Sequence, residues 1–250
     1  MDKELRSKII ALFEYRELPK LIEIGSGTLD KDYYELLIQL QADIYYLDHE
    51  LETNWHVSTS AIEDRWAAIY QSLTALGVPR DKHDEYCRHI YKYQRHELEL
   101  RQRRFPMRLS MEYFYFYKSC DVKLLRKLIY DKYPVLQREV KLSDWRVFDL
   151  ITEVNDDVED LYEDLDTING NRFLLSLLQQ GPTATAAIYQ DYLQELGLRI
   201  ADIPQPLNRQ MSQTVYDDTK VLLTERLAAY DAVVLSKAVI NPYVSLASEV

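Results

Sequence analysis

Glycine and proline are scarce, six and eight in 250 residues, and no stretch rich in Gly, Ser or Pro interrupts the chain. Hairpins and closely spaced strands need such turn residues at short intervals, so their scarcity excludes a β-rich fold and predicts an all-α fold of long helices with short connections. No flexible linker is present, and the length suits a single domain spanning residues 1–250. Cysteine is limited to Cys87 and Cys120, which excludes a disulfide framework or a cysteine zinc site and makes a reducing, cytoplasmic setting the expectation. No apolar run reaches the length of a membrane span, and the opening MDKELRSKII lacks the apolar core of an export signal. Positive charge is short as well. Against 41 Asp and Glu stand 30 Lys and Arg, for a net charge of −11, and nucleic-acid binding, which draws its affinity from basic patches, is not expected.

What is abundant is helical periodicity. Ile9, Ile10, Leu12 and Phe13 predict a helix over about Asp2 to Glu17, closed by Leu18-Pro19, with a turn at Gly25-Ser26-Gly27. From Asp30 to Trp55, Leu37, Leu40, Ile44, Leu47 and Leu51 repeat at spacings of three and four, with Asp48 and Glu52 one turn apart on the flank and Asp43 less well placed. Ser58 or Ser60 can cap a helix that closes at Gly77. The next helix, Asp81 to about Arg104, carries His83, His89 and His96 and ends in the basic run Arg101, Arg103, Arg104 and Arg108, the one concentration of positive charge in an acidic chain. After Pro106, the aromatic run Tyr113 to Tyr117 and the spacing of Leu124, Leu125, Leu128 and Ile129 predict one helix ending before Pro134, with Lys118 in its middle. That lysine either snorkels to the surface or faces a polar cavity. Further helices are expected over 183–197, beyond Gly181-Pro182, and over about Asn208 to Val239; the tail NPYVSLASEV carries no signal.

The densest chemistry lies in DLITEVNDDVEDLYEDLD, Asp149 to Asp166, with nine carboxylates and no Lys or Arg. It is expected to be one helix from Ser143-Asp144 to about Gly170, with Leu150, Val154, Val158 and Leu161 as its apolar stripe and Glu153, Asp157, Asp160 and Asp164 beside it. Like charges at these spacings repel by a few tenths of a kcal/mol per pair. Removing one of them, as in Asp157→Asn, is therefore expected to leave the fold intact or firmer. Asp156, Asp157 and Asp160 stand in the order D-D-x-x-D, and carboxylates one turn apart can hold a hard divalent cation that also binds phosphate oxygens. The same stripe can equally be a solvated face.

With Lys118 and the acidic segment both in view, the chain resembles the class I isoprenoid synthase superfamily: trans-prenyl diphosphate synthases, squalene and phytoene synthases, and class I terpene synthases. Prenyl synthases carry a Lys-Thr pair some forty residues before a D-D-x-x-D helix, and here Lys118-Ser119 stands 38 residues before Asp156-Asp157-Val158-Glu159-Asp160. DVEDLYED followed by Asn171-Arg172 is similar to the second aspartate-rich region of squalene and phytoene synthases. The resemblance implies a helical bundle with a central cavity, Mg²⁺ as cofactor and a prenyl diphosphate as substrate. It implies metal binding by Asp156, Asp157 and Asp160, with Asp48 and Glu52 as the second carboxylate pair. Diphosphate contacts then fall to Lys118 and Arg172, and Tyr113, Phe114 and Phe116 line the pocket. The expected activity is ionisation of the allylic diphosphate, then cyclisation, condensation or loss of diphosphate, with a homodimer as the assembly to be tested. No D-D-x-x-D stands on the Asp30 to Trp55 segment, only DHELE, and no Arg-Arg-Gly follows it, which marks a divergent member. Two other classes compete: a helical interaction protein whose acidic stripe docks a basic partner, and a carboxylate-bridged di-iron bundle, for which the histidines lack the Glu-x-x-His pairing.

Overall fold

The structure, a computed structural model, describes residues 1–245; the end of the tail, 246–250, lies outside them. In chain order the helices are α1 (Lys3–Tyr15), α2 (Leu18–Ser26), α3 (Lys31–Thr53), α4 (Thr59–Ala75), α5 (His83–Leu100), α6 (Met111–Lys118), α7 (Cys120–Lys132), α8 (Leu136–Glu139), α9 (Arg146–Glu159), α10 (Arg172–Ile200), α11 (Pro206–Ala228), α12 (Ala232–Leu235) and α13 (Asn241–Ser245). The fold is all-α, with no strand among the described residues, and no described helix is long and apolar enough to cross a membrane. The chain divides into two compact units, residues 1–94 with 120–142, and residues 95–119 with 143–250.

In the first unit α3 packs on α4, α1 and α7. The expected stripe is its core: Leu37, Leu40, Ile44, Leu47 and Leu51 are all buried. Asp30 caps α3 through the Tyr33 N–H, and Ser58 caps α4 through the Ala61 N–H. The first helix closes before Leu18-Pro19 as expected, but a second helix that the periodicity did not predict begins there, because Pro19 sits in its first turn, where its missing N–H has no partner to lose, and Glu17 adopts a left-handed conformation (φ 58°) to redirect the chain.

In the second unit α9 lies between α6, α10 and α11. Its stripe is buried as expected, Leu150, Val154 and Val158 on the helix and Leu161 just beyond it. Asn155 donates to the Thr219 hydroxyl (3.0 Å), and Arg226 donates to the carbonyls of Val158 and Glu159 (3.2 and 3.0 Å). These pairings make α9 and α11 parallel. Gly181, at φ 77° and ψ 175°, breaks α10 as its Gly-Pro pair suggested.

Two helices are shorter than expected. The one carrying Lys118 stops there, because the Ser119 hydroxyl turns back to the Phe116 carbonyl (3.2 Å) and Ser119 leaves helical geometry. The acidic helix ends at Glu159, not near Gly170, since Arg226 takes the carbonyls that would have continued it. Acidic residues at a helix C-terminus also oppose the dipole. Asp164 therefore lies in a separate 3₁₀ turn, Glu163–Asp166. The final amphipathic segment likewise divides, into α11 and α12.

At the end of α5, Arg103 takes φ 60° in the position usually given to glycine, with its N–H bonded to the Leu100 carbonyl and that of Arg104 to Glu99. A side chain in this conformation costs about 1–2 kcal/mol, and that of Arg103 is exposed. Arg103→Gly is expected to raise the unfolding free energy by about 0.5–1 kcal/mol in urea titrations; a loss would mean that the arginine stabilises the turn through its side chain.

Candidate functional site

The site grows from one buried carboxylate. Asp157, on the last turn of α9, is fully buried, and such a charge is tolerated only with a partner and full hydrogen bonding. Its Oδ1 accepts from the ammonium of Lys118, while Oδ2 accepts from the Tyr115 hydroxyl (3.0 Å) and from the backbone N–H of Arg172 (2.8 Å). Tyr115 and Lys118 are three residues apart on α6, so they share a face. The Arg172 amide belongs to the first turn of α10, whose dipole favours an anion at that end. Tyr115 is hydrogen-bonded in turn to Tyr189 (2.7 Å) from the far half of α10.

The turn Asn169-Gly170-Asn171 closes the network. Asn171 donates from Nδ2 to the Asp157 carbonyl and to Asp164 Oδ2, both at 2.8 Å, and its Oδ1 caps α10 through the Leu174 N–H (2.9 Å). Asn169 donates to Asp164 Oδ1 (2.8 Å). Gly170 donates its N–H to Glu97 (3.2 Å), and a Cβ there would lie 2.6 Å from a Glu97 oxygen, so any larger residue would displace the Glu97 carboxylate. Tyr115, Tyr189, Asn169 and Glu97 were not singled out from the sequence. Only the Asn-Gly-Asn turn offered a local signal, and it reads equally well as a plain helix connection.

The charges are uneven. Burial alone would push the Lys118 ammonium down, but Asp157, Glu153 and Asp164 outweigh it and hold its pKa well above the usual value. Its side chain is 21 % exposed, against 0 % for Asp157, so one face of the lysine stays accessible. Burial, reinforced by Asp164 and Asp156, pushes Asp160 up to about 7 in spite of Lys118. Burial also raises Asp164, against Lys118 and Asn171. Tyr115 is held well above its normal range by burial and by Asp157, and keeps its proton.

The other expected residues take distinct places. Asp156 and Asp160 are half-buried at the end of α9. The Arg172 guanidinium turns to the carbonyls of Pro106 (3.1 Å) and Leu109 (2.8 Å), over the ring of Phe114. Phe114 is buried in the core, Tyr113 is 39 % exposed, and Phe116 lies under the Arg146 guanidinium. In the first unit Asp48 accepts from the Tyr93 hydroxyl (2.6 Å), Asp43 accepts from Ser72 (2.5 Å), and Glu52 is half-buried in the last turn of α3. The histidines have separate surroundings: His83 bonds the Val78 carbonyl, and His96 pairs with Glu99 and stacks on Tyr117. Burial and three nearby cations depress His89 to about 4. Among the described residues, no three carboxylate, imidazole or thiolate groups converge as a ready-made metal cluster. No family model, no curated protein and no solved structure matches the chain.

Asp157 is thus not a removable charge in a repelling stripe, as the periodicity suggested, because its neighbours neutralise it. Asp157→Asn and Lys118→Met are each expected to cost about 3–5 kcal/mol of unfolding free energy. The double variant should cost clearly less than the sum of the two, as measured by a denaturant double-mutant cycle. Additive losses would show that the pair is not coupled.

Asp160 behaves in the opposite way. An acid whose folded pKa is raised, here from 3.8 to about 7, costs stability only when charged, so this group weakens the fold as pH climbs through that interval. Asp160→Asn should be neutral at pH 4 and, with solvent screening allowed for, add about 1–2 kcal/mol at pH 8. A gain that does not vary with pH would remove ionisation of the half-buried Asp160 as its cause.

Proposed function

We propose that the chain is a divergent enzyme of the class I isoprenoid synthase type, acting on an allylic diphosphate with Mg²⁺. The observation that carries this reading is the placement of Lys118. The last residue of the aromatic helix α6, it meets the acidic segment directly through Asp157 and stays partly accessible near Asp160 and Asp164.

The donor set suits a hard cation. Mg²⁺ is commonly held by one or two carboxylates together with substrate phosphates, not by an all-protein cage, and crowded carboxylates such as Asp160 and its neighbours are relieved by a cation. Asp156 and Asp160 are the residues that would hold it, and Mg²⁺ would supply charge stabilisation for the departing diphosphate. Lys118 contributes a permanent ammonium for phosphate oxygens. Asp157 positions that ammonium and leaves its own oxygens to protein donors. Arg172 holds the loop over Pro106 and Leu109 and presents its backbone N–H to Asp157, so its part is to shape the site. Tyr115, permanently protonated, orients the Asp157 carboxylate.

Thermal unfolding with Mg²⁺ and inorganic pyrophosphate is the direct test. The two together are expected to raise Tm by several degrees more than the sum of either alone, as for a ternary complex. Asp156→Asn, which keeps the side-chain size and removes the charge, should abolish the joint effect. No joint effect in the wild type would turn the acidic segment into a surface for basic partners or a purely structural feature.

A further inference from the structure

We propose that a second site, at the C-terminal end of α5, binds a small organic anion with an apolar body, a carboxylate or phosphate monoester attached to an aromatic ring or a short branched chain. A pocket of about 290 Å³ opens there within the second unit, at the lower end of the range for small-molecule sites. Its inner wall is apolar: Leu100, Phe105 and Pro106 are buried, with Leu109 and the buried ring of Tyr117 beside them. Its rim carries two exposed arginines, Arg104 and Arg108.

The acidic residues of the same pocket are already engaged. Glu97 is 3 % exposed and accepts from the Gly170 N–H, and Glu99 bonds His96 and lies 4.0 Å from Arg95. Neither Arg104 nor Arg108 has a side-chain hydrogen bond or ion pair among the described residues. The two guanidinium groups are therefore available on the edge of an apolar hollow, and a planar guanidinium matches carboxylate and phosphate geometry. The turn that brings them there is strained. Arg103 holds φ 60°, immediately before the segment from Arg104 to Leu109 that supplies both the rim arginines and part of the apolar wall. Strain of this kind gathers where geometry serves binding.

The proposal does not depend on the diphosphate reading, and titrations run without Mg²⁺ keep the two apart. Benzoate, phenyl phosphate, benzyl alcohol and inorganic phosphate are titrated into the protein by two-dimensional NMR. Benzoate or phenyl phosphate is expected to shift resonances around Leu100 and Tyr117 saturably, at least tenfold more tightly than benzyl alcohol and inorganic phosphate. The double variant Arg104→Gln with Arg108→Gln, both at exposed positions, should weaken that binding tenfold or more, and Leu109→Trp should block it by filling the hollow. Binding of inorganic phosphate as tight as that of phenyl phosphate would reduce the site to a surface charge. Equal binding of benzyl alcohol, an unaffected double variant, or no saturable binding at all would each overturn the proposal.

Discussion

A buried negative charge is the constraint on which the second unit depends. Taking a carboxylate out of water costs several kcal/mol unless cations and donors replace the solvent, and Asp157 is replaced on every side. Two separate pieces of chain must meet α9 for this: α6 with its tyrosine and lysine, and the first turn of α10, led in by Asn171, which bonds the Asp157 carbonyl. The carboxylate thereby ties the end of α6 to the start of α10. A helix N-terminus serves as well as a side chain here, since its unpaired amide carries partial positive charge.

Around this neutralised centre the remaining charge is unbalanced. Asp156, Asp160, Glu163 and Asp164 crowd one edge with Lys118 as the opposing cation, and burial raises both Asp160 and Asp164. Stability is therefore held in the interior and given up at the rim. Elsewhere in the same unit the charges are matched. Glu112 bridges Arg146 and Arg199 at 2.7 and 2.6 Å, and although burial alone would raise it, the two arginines hold its carboxyl below the usual range.

Much of the helix content was legible in the sequence. The stripe on α3, the Ser58 cap and the break at Gly181 follow from spacing and from residues with one dominant local preference. The errors fell where a distant residue, or a local choice between near-equal alternatives, decided the outcome. Arg226 ends α9 from 67 positions away in sequence, and the back-bonding of Ser119 competes on even terms with continuing the helix. The site was half legible: Lys118 and the acidic segment stood out by composition and order, while Tyr115, Tyr189 and Asn169 resemble ordinary core and turn residues.

By itself the sequence determined that the chain is helical, which faces are apolar, and that one segment concentrates carboxylate far beyond what its own turns can neutralise. Periodicity and composition act over a few residues, and these properties are local. Only the tertiary structure decided which carboxylate is buried and which are left to repel, because that depends on donors arriving from α6 and α10. A helical wheel shows Asp157 and Asp160 as neighbours of one kind. Their opposite roles come from what packs against each, one enclosed by an ammonium, a hydroxyl and a helix N-terminus, the other left among its own charges.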